Sequence, residues 1–419
     1  MSSSSQRPVG RRSAVAVFYF LALGAGVTRT ISVAFDYIAI NTILSDPIIY
    51  GVMSQWISFV VTVLAIVFLG LKRNKNGKSQ SLGYSLDPDF GRIRLLPRTP
   101  MIYLVLSGVF AGISTFFYYW LIGPSDASAV LPYGQLVIIY LLFGDLLAEK
   151  DTPTIIEIQC VTSILFGVLL IGVEPGGFNL VTLFIVLVPM NIASAFSTYY
   201  QRKTKRLEIQ PGLKVDSLNM RLWSLLVLNI VMTVMALPML PANTIDIVLL
   251  TISPLMWLMV GSSISIFLSL VMYVRALGKG SMAVVNSLAS ISVVLGIPLT
   301  LVGNLFIPGV FGVVTNDPFL WVLKLFGVAL VMIGVIALQA ADVRSIVMIK
   351  VKPHTADLLP KLFDIKGVEK ASAMARDYDY LFSIKSRSLG KTRTNILKKV
   401  QSIPEVKQIE TLVVLRDFR

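Results

Sequence analysis

Up to about Ala341 the chain is a succession of apolar runs separated by short polar connectors. A helix needs about 20 apolar residues to cross the hydrocarbon layer. By that measure the runs predict spans at 14–38, 48–71, 100–122, 127–148, 154–173, 180–200, 217–240, 247–274, 281–303 and 318–341. Basic residues fall in alternate connectors: Arg7, Arg11 and Arg12, then Lys72–Arg98, Lys150, Arg202–Lys214, and Arg275 with Lys279. The intervening connectors, around Asn41–Pro47, Gly123–Asp126, Glu174–Asn179, Pro241–Asp246 and Asn304–Pro318, hold no Lys or Arg. Basic residues beside spans stay in the cytoplasm, so the alternation predicts about ten transmembrane helices with both termini inside. The connector Lys72–Arg98 is expected to be mobile. Phe306–Val314 is too short to cross and is expected to lie in the interface or re-enter.

After Asp342 the pattern changes. Residues 345–419 carry 15 basic and 8 acidic residues and no bilayer-length run. Val347, Ile349 and Val351 alternate with Met348, Lys350 and Lys352, the period of a half-buried strand. Leu358, Leu359 and Leu362 mark a short helix, Val368–Met374 and Tyr378–Ile384 two further strands, Ile396, Val400 and Ile403 a second helix, and Val406–Leu415 a last strand. Strand-helix-strand therefore occurs twice, with Ile365-Lys-Gly-Val368 and Ile403-Pro-Glu-Val406 in matching places, which predicts an α+β ferredoxin-like βαββαβ domain.

Composition agrees with a polytopic membrane protein: 55% hydrophobic, 14% charged, mean hydropathy +0.76. The net charge of +14 flanks spans for the most part, so it is read as anchoring to anionic lipid and not as a nucleic-acid surface. Arg11-Arg12 precedes a long first run and is read as that helix's retaining charge, with no cleavage expected. With a single cysteine, Cys160, and a single histidine, His354, neither a disulfide framework nor a thiolate metal site is expected. No HExxH, GxSxG or GxxxxGK[ST] pattern is present, so the expectation is no enzyme, no cofactor and no metal.

An internal duplication runs at a shift of 154 residues: Tyr119-Trp-Leu-Ile-Gly and Ser128-Ala-Val-Leu-Pro132 match Tyr273-Val-Arg-Ala-Leu and Met282-Ala-Val-Val-Asn286. Met53-x-x-Trp56 pairs with Met220-x-x-Trp223 at a second shift. Repeats of five spans must cross in opposite senses, the arrangement of secondary transporters. Together with the acidic inner end Leu147-Ala148-Glu149-Lys150, these paired repeats resemble the EamA family of the drug/metabolite transporters. The second repeat departs from that form, with Gly303-Asn304 where an acidic pair is expected. The resemblance implies repeats at 14–174 and 175–341, behind a basic tail at 1–13, and a ten-helix bundle that moves a small metabolite by alternating access.

The tail resembles the effector-binding (RAM) domain of the Lrp/AsnC regulators. The matching residues are Ile349-Lys-Val-Lys-Pro353, Lys366-Gly367-Val368, Tyr378-Asp379-Tyr380 and Glu410-Thr411-Leu-Val-Val-Leu415. No helix-turn-helix accompanies it, and Asp377 stands where a glycine usually precedes Tyr-Asp. The resemblance implies a small effector held near Asp377, Tyr378, Asp379 and Thr411, and a homodimer formed through this domain.

Within the spans, Arg29 and Asp36 are seven residues apart and share a helix face, about 10 Å apart along the axis. Arg29 lies deep, where a guanidinium needs an anion or a carboxylate; its readings are contact with an anionic substrate group and bracing of the bundle. Asp36, near the outer edge, is read as an interface residue, and Lys324 as a snorkelling structural one. Glu157 has capping-box spacing after Thr154, and Asp145 and Glu149 are expected to be solvated. Pro132 frees backbone carbonyls next to Tyr133 and Gln135, with Asn286 in the equivalent place in the second repeat; the alternative is a simple kink with polar side chains bonding across helices. The candidate substrate residues are thus Arg29, Trp56, Tyr119, Tyr133, Gln135, Asn191, Tyr273 and Asn286. The expected function is a transporter of a small organic metabolite in the plasma membrane of a prokaryote, with a cytoplasmic regulatory domain. The competing expectation is a receptor whose bundle carries no flux.

Overall fold

The computed structural model describes residues 9–75, 78–122, 131, 133–147, 155–171, 173, 180–210, 213–280, 282–311, 317–340, 343–353, 357–363, 368–374, 378–386 and 398–414. The chain divides into two compact units, residues 1–141 with 161–333, and residues 142–160 with 334–419.

The apolar runs form helices α1 (Val9–Thr42), α2 (Pro47–Leu69), α3 (Arg98–Ile122), α4 (Val137–Leu147) and α5 (Ile155–Ile171). Leu180–Ile185, a π-helical turn Val186–Ile192 and Ala193–Arg206 together make α6. Then come α7 (Ser217–Ala236), α8 (Thr244–Leu277), α9 (Met282–Ala289 and Ile291–Phe306) and α10 (Pro318–Ala340). Among the described residues seven helices are long and apolar enough to cross a membrane: Ala16–Thr42, Pro47–Leu69, Arg98–Ile122, Ser217–Met239, Thr244–Leu277, Met282–Phe306 and Pro318–Ala337. The expected spans at 127–148, 154–173 and 180–200 correspond to shorter or interrupted helices. Residues 123–130, 132 and 148–154 lie outside the described set, and α6 is broken by its π-turn and ends on Lys203, Lys205 and Arg206. Large apolar side chains such as Trp257, Leu250, Leu305 and Phe319 point outward and exposed. Apolar cover on that scale fits a lipid-facing surface.

Sequence sets the helix starts. Asp46 Oδ1 accepts from the Ile48 and Ile49 amides at 2.9 and 3.0 Å with Pro47 at the first position, and Asp216 caps α7 through the Asn219 amide at 2.7 Å. Small residues set the packing. A Cβ on Gly108 or Gly112 of α3 would lie 2.6 Å from Val227 Cβ or 2.8 Å from Val231 Cβ of α7, so this Gly-x-x-x-Gly stripe brings two backbones together. On α3's other side Phe110 stacks on Phe196 of α6 at 5.0 Å. α1 lies along α8, where Gly24 meets Met272 and Gly261 meets Phe35.

The connector Lys72–Arg98, expected to be mobile, is folded onto the bundle. It forms a hairpin of β1 (Lys72–Lys75) and β2 (Lys78–Ser81), followed by a 3-10 turn, Leu82–Ser85. Phe90 and Leu96 are buried in core clusters with Leu218 and Leu104 respectively. Its carboxylates explain the difference. Lys205 Nζ donates to Asp87 Oδ2 at 2.8 Å and to the Val215 carbonyl at 2.8 Å, the Ser217 amide donates to Asp87 Oδ2 at 2.7 Å, and Arg94 pairs with Asp216 at 3.2 Å. Composition records that a loop is polar but not that its charges have partners. Strands β3 (Glu208–Gln210) and β4 (Leu213–Lys214) close the matching connector. In the described part of Phe306–Val314, Phe306 and Ile307 are exposed, while Val310 and Phe311 are buried in the core with Leu44, Ile48 and Tyr119, and Asn41 Nδ2 donates to the Val310 carbonyl at 2.7 Å.

In the second unit, β5 (Val343–Val351), α11 (Leu359–Phe363), β6 (Val368–Ala373), β7 (Tyr380–Ser386), α12 (Lys398–Gln401) and β8 (Val406–Val414) follow the predicted order. The sheet is antiparallel, β6-β7-β5-β8, with Val347 opposite Phe382 and Thr411. Alternate residues Val347, Ile349, Phe382 and Ile384 turn to one face and bury Leu358, Leu362 and Val400 of the helical segments. This topology is consistent with a ferredoxin-like fold.

Candidate functional site

The helices of the first unit enclose a cavity of about 220 Å³. Its wall is unusually rich in hydroxyls, including Ser32, Ser54, Ser58, Ser262, Ser263 and Ser269. Among the described residues three charged side chains face it: Arg29 and Asp36 from α1, and Arg221 from α7. α1 supplies two of them because residues 29 and 36 are two turns apart on one face.

Five of the eight candidate substrate residues line this cavity: Arg29, Tyr119, Asn191, Tyr273 and Asn286. Tyr133 and Gln135 are buried behind it. Gln135 Oε1 accepts from Asn286 Nδ2 at 3.1 Å while its Nε2 donates to Ser292 at 3.3 Å, so Gln135 orients Asn286. The Tyr133 carbonyl accepts from Asn191 Nδ2 at 2.9 Å, and the same amide reaches the Val186 carbonyl freed in the π-turn, at 2.7 Å. Tyr273 then donates to Asn286 Oδ1 at 3.3 Å. Gln135, just ahead of α4, thus joins Tyr273 of α8 and Asn286 and Ser292 of α9 in one hydrogen-bonded chain at the cavity wall, and the π-turn in α6 supplies the free Val186 carbonyl to Asn191. Pro132 itself lies outside the described residues. Trp56 is elsewhere: it is partly exposed and donates Nε1 to Thr233 at 3.0 Å.

Asp36 departs from the expectation of an interface residue. It is 4% exposed, and both of its hydrogen bonds, from Tyr50 at 2.8 Å and Ser262 at 2.9 Å, fall on Oδ1. Depth along one helix places it near a membrane edge, but α2 and α8 cover that edge. Asp145, expected to be solvated, is also buried. The Glu157 side chain and Glu149 lie outside the described set.

Sequence reasoning missed Arg221, Tyr118 and Gln55 as cavity groups. Arg221 is a lone cation five residues into an otherwise apolar run, a detectable feature. The serines also carried a trace, since Ser54 with Ser58 and Ser262 with Ser269 repeat at one- and two-turn spacings.

The candidate effector residues of the tail take different places. Asp379 is engaged with the backbone: its Oδ2 accepts from the Val351 amide at 2.7 Å, and its own amide donates to the Ile349 carbonyl at 3.0 Å. Tyr378 donates its hydroxyl to Glu410 Oε2 on β8. Thr411 is paired in register with Val347, and Asp377 lies outside the described residues. No group of three or more His, Cys, Asp or Glu side chains capable of holding a metal occurs among the described residues.

No curated protein matches this chain. A solved structure described only as the crystal structure of a protein aligns over 78% of this chain and 96% of its own, at 14% identity and a TM-score of 0.49. The sequence profile of the Lrp/AsnC ligand binding domain matches residues 344–419. The chain therefore joins a bundle of membrane-length helices to a C-terminal Lrp/AsnC ligand-binding domain.

Proposed function

We propose that the protein is a secondary transporter of a small organic metabolite, of the EamA type, with a cytoplasmic effector-binding or dimerising domain. The observation that carries this reading is the cavity: a hydroxyl-rich chamber with three charged side chains inside a bundle whose outer surface is apolar. Such a chamber is costly to build in a membrane and is the ordinary mark of a substrate path. The packing supports two five-helix repeats. α1 lies on α8 while α3 lies on α6, and shifting each helix by five exchanges one pair for the other. α2 and α7 likewise contribute to shared core clusters. Ten spans with both termini inside follow from the basic connectors, and α4, α5 and α6 complete the set. Alternating access then rocks one repeat against the other around the cavity. The protein is read as neither an enzyme nor a cofactor carrier.

Full-length protein reconstituted in liposomes and screened with labelled amino acids, nucleosides and carboxylates is expected to exchange at least one of them across the bilayer, more slowly as Asn286→Ala. The Lrp/AsnC match favours one competing reading, a receptor whose bundle reports effector binding. A compound that binds the cavity of sealed, correctly inserted protein without any flux makes it a receptor.

A further inference from the structure

We infer that the cavity selects an organic anion, and that Arg29 and Arg221 are the residues that read its carboxylate. The inference rests on the reading of the cavity as a substrate site and names the class of substrate.

Among the described residues two guanidinium groups face the chamber against one carboxylate, Asp36. Arg221 is 7% exposed, its Nε is buried without a hydrogen-bond partner, and no carboxylate among the described residues pairs with it. Arg29 makes no ion pair among the described residues either, and its Nη2 lies 3.2 Å from where a Cβ on Gly134 would stand, so glycine there makes room for the guanidinium. A buried guanidinium without a counter-ion is strongly destabilising and persists where it meets an anion during function. Both arginines line the same chamber, so both act on whatever enters it through a medium that screens charge weakly. A cation would be repelled by two groups and attracted by one. Asp36 complements the pair: Oδ1 takes both protein donors, which leaves Oδ2 for a hydroxyl or ammonium on the substrate. The serine hydroxyls serve either end, because each donates and accepts. The chamber therefore fits a small carboxylate that carries a hydrogen-bond donor away from its acid group.

The test holds the carbon chain fixed and varies the charge. Purified full-length protein is titrated with succinate, 4-aminobutanoate, 1,4-butanediol and 1,4-diaminobutane, with thermal stabilisation as readout. 4-Aminobutanoate, whose ammonium is the donor that Asp36 Oδ2 takes, is expected to stabilise the protein most, succinate less, and the diol and diamine not at all. Arg29→Gln and Arg221→Gln are each expected to weaken the carboxylate response at least about ten-fold. Arg221→Met, which removes the unpaired charge, is expected to keep or raise the stability of the ligand-free protein while losing the response, so a loss is not mistaken for misfolding. Asp36→Asn should weaken 4-aminobutanoate more than succinate. The inference is overturned if neither carboxylate stabilises the protein, if the diamine or diol stabilises it as well as succinate, or if the arginine variants respond like the parent, which places the anion elsewhere. Flux of neutral or cationic compounds alone would remove this inference and leave the transporter reading intact. Anion binding at the arginines without flux would do the reverse.

Discussion

Lys205 Nζ lies 2.8 Å from Asp87 Oδ2, and both side chains are buried. The pair joins the end of α6 to the connector between α2 and α3, and it holds the Ser217 amide at the start of α7 as well. Removing one partner leaves an uncompensated buried charge, which costs roughly 3–5 kcal/mol. Asp87→Ala and Lys205→Met are each expected to destabilise the protein by about that much, whereas the double variant loses less than their sum. Unfolding monitored by intrinsic fluorescence in detergent measures all three, and strict additivity would show the pair to be uncoupled.

The same carboxylate predicts a pH response. Burial raises the Asp87 carboxyl, but the Lys205 ammonium and the hydrogen bonds from Lys205 and Ser217 outweigh it and hold the group below its ordinary value. A carboxyl lowered by folding contributes stability that is complete above the unfolded value, near pH 4, and is lost as pH falls through the folded one. Asp216 runs the other way. Its burial outweighs the hydrogen bonds from Asn219 and the charge of Arg94, so its contribution is complete below about pH 4 and is lost as pH rises through the folded value. Below pH 4, Asp87→Asn is therefore expected to lose stability less steeply than the parent. Parallel profiles for the two proteins would refute this assignment.

Gly167 and Gly327 form a reciprocal contact between α5 and α10. A Cβ on Gly167 would stand 2.5 Å from the Gly327 carbonyl oxygen, and one on Gly327 would stand 2.6 Å from that of Gly167. Backbone cannot yield as a side-chain tip can, so alanine at either position must push the helices apart, at a cost of about 1–3 kcal/mol. Thermal unfolding of Gly167→Ala and Gly327→Ala checks this, and an unchanged midpoint in both would mean the helices separate freely.

Asn286 stands in the middle of the cavity-wall network. Asn286→Ala leaves Gln135 Oε1 and the Tyr273 hydroxyl without the partners they now have from this side chain, at about 1–3 kcal/mol for a buried group left unsatisfied. Flux and ligand-induced stabilisation are expected to fall more than fold stability. Asn286→Asp keeps the acceptor for Tyr273 but loses the donor to Gln135, so it should recover only part of the loss. Full activity of the alanine variant would remove the network from the site.

In the tail, Asp379 holds the end of β5 through the Val351 amide. Asp379→Ala is expected to cost about 1–2 kcal/mol of that domain's stability, whether or not an effector is present. Hydrogen exchange at the Val351 and Asp379 amides reads this directly. Unchanged protection would free Asp379 for the effector role that the family resemblance implies.

The sequence by itself determined where the helices run and how the tail is ordered. Seven of the long apolar runs appear as membrane-length helices, because hydrophobic length is a local property that a bilayer reads directly. The βαββαβ order of residues 343–414 was equally legible, since strand alternation at Val347, Ile349 and Val351 is local too. Five cavity residues could be named because polar groups within apolar runs are few. Only the tertiary structure decided which polar groups meet. Trp56 and Asn286 look alike as candidates in sequence, yet one turns to Thr233 near the bundle surface and the other to Gln135 inside it. Asp36 counts as an edge residue along one helix, but Tyr50 and Ser262 arrive from two other helices to bury it. The connector that reads as a mobile polar loop is fixed by Lys205, 118 residues further along the chain from Asp87. Periodicity tells which face of a helix is apolar, but not which neighbour covers it. Burial and charge pairing are set by that neighbour, and it comes from a distant part of the chain.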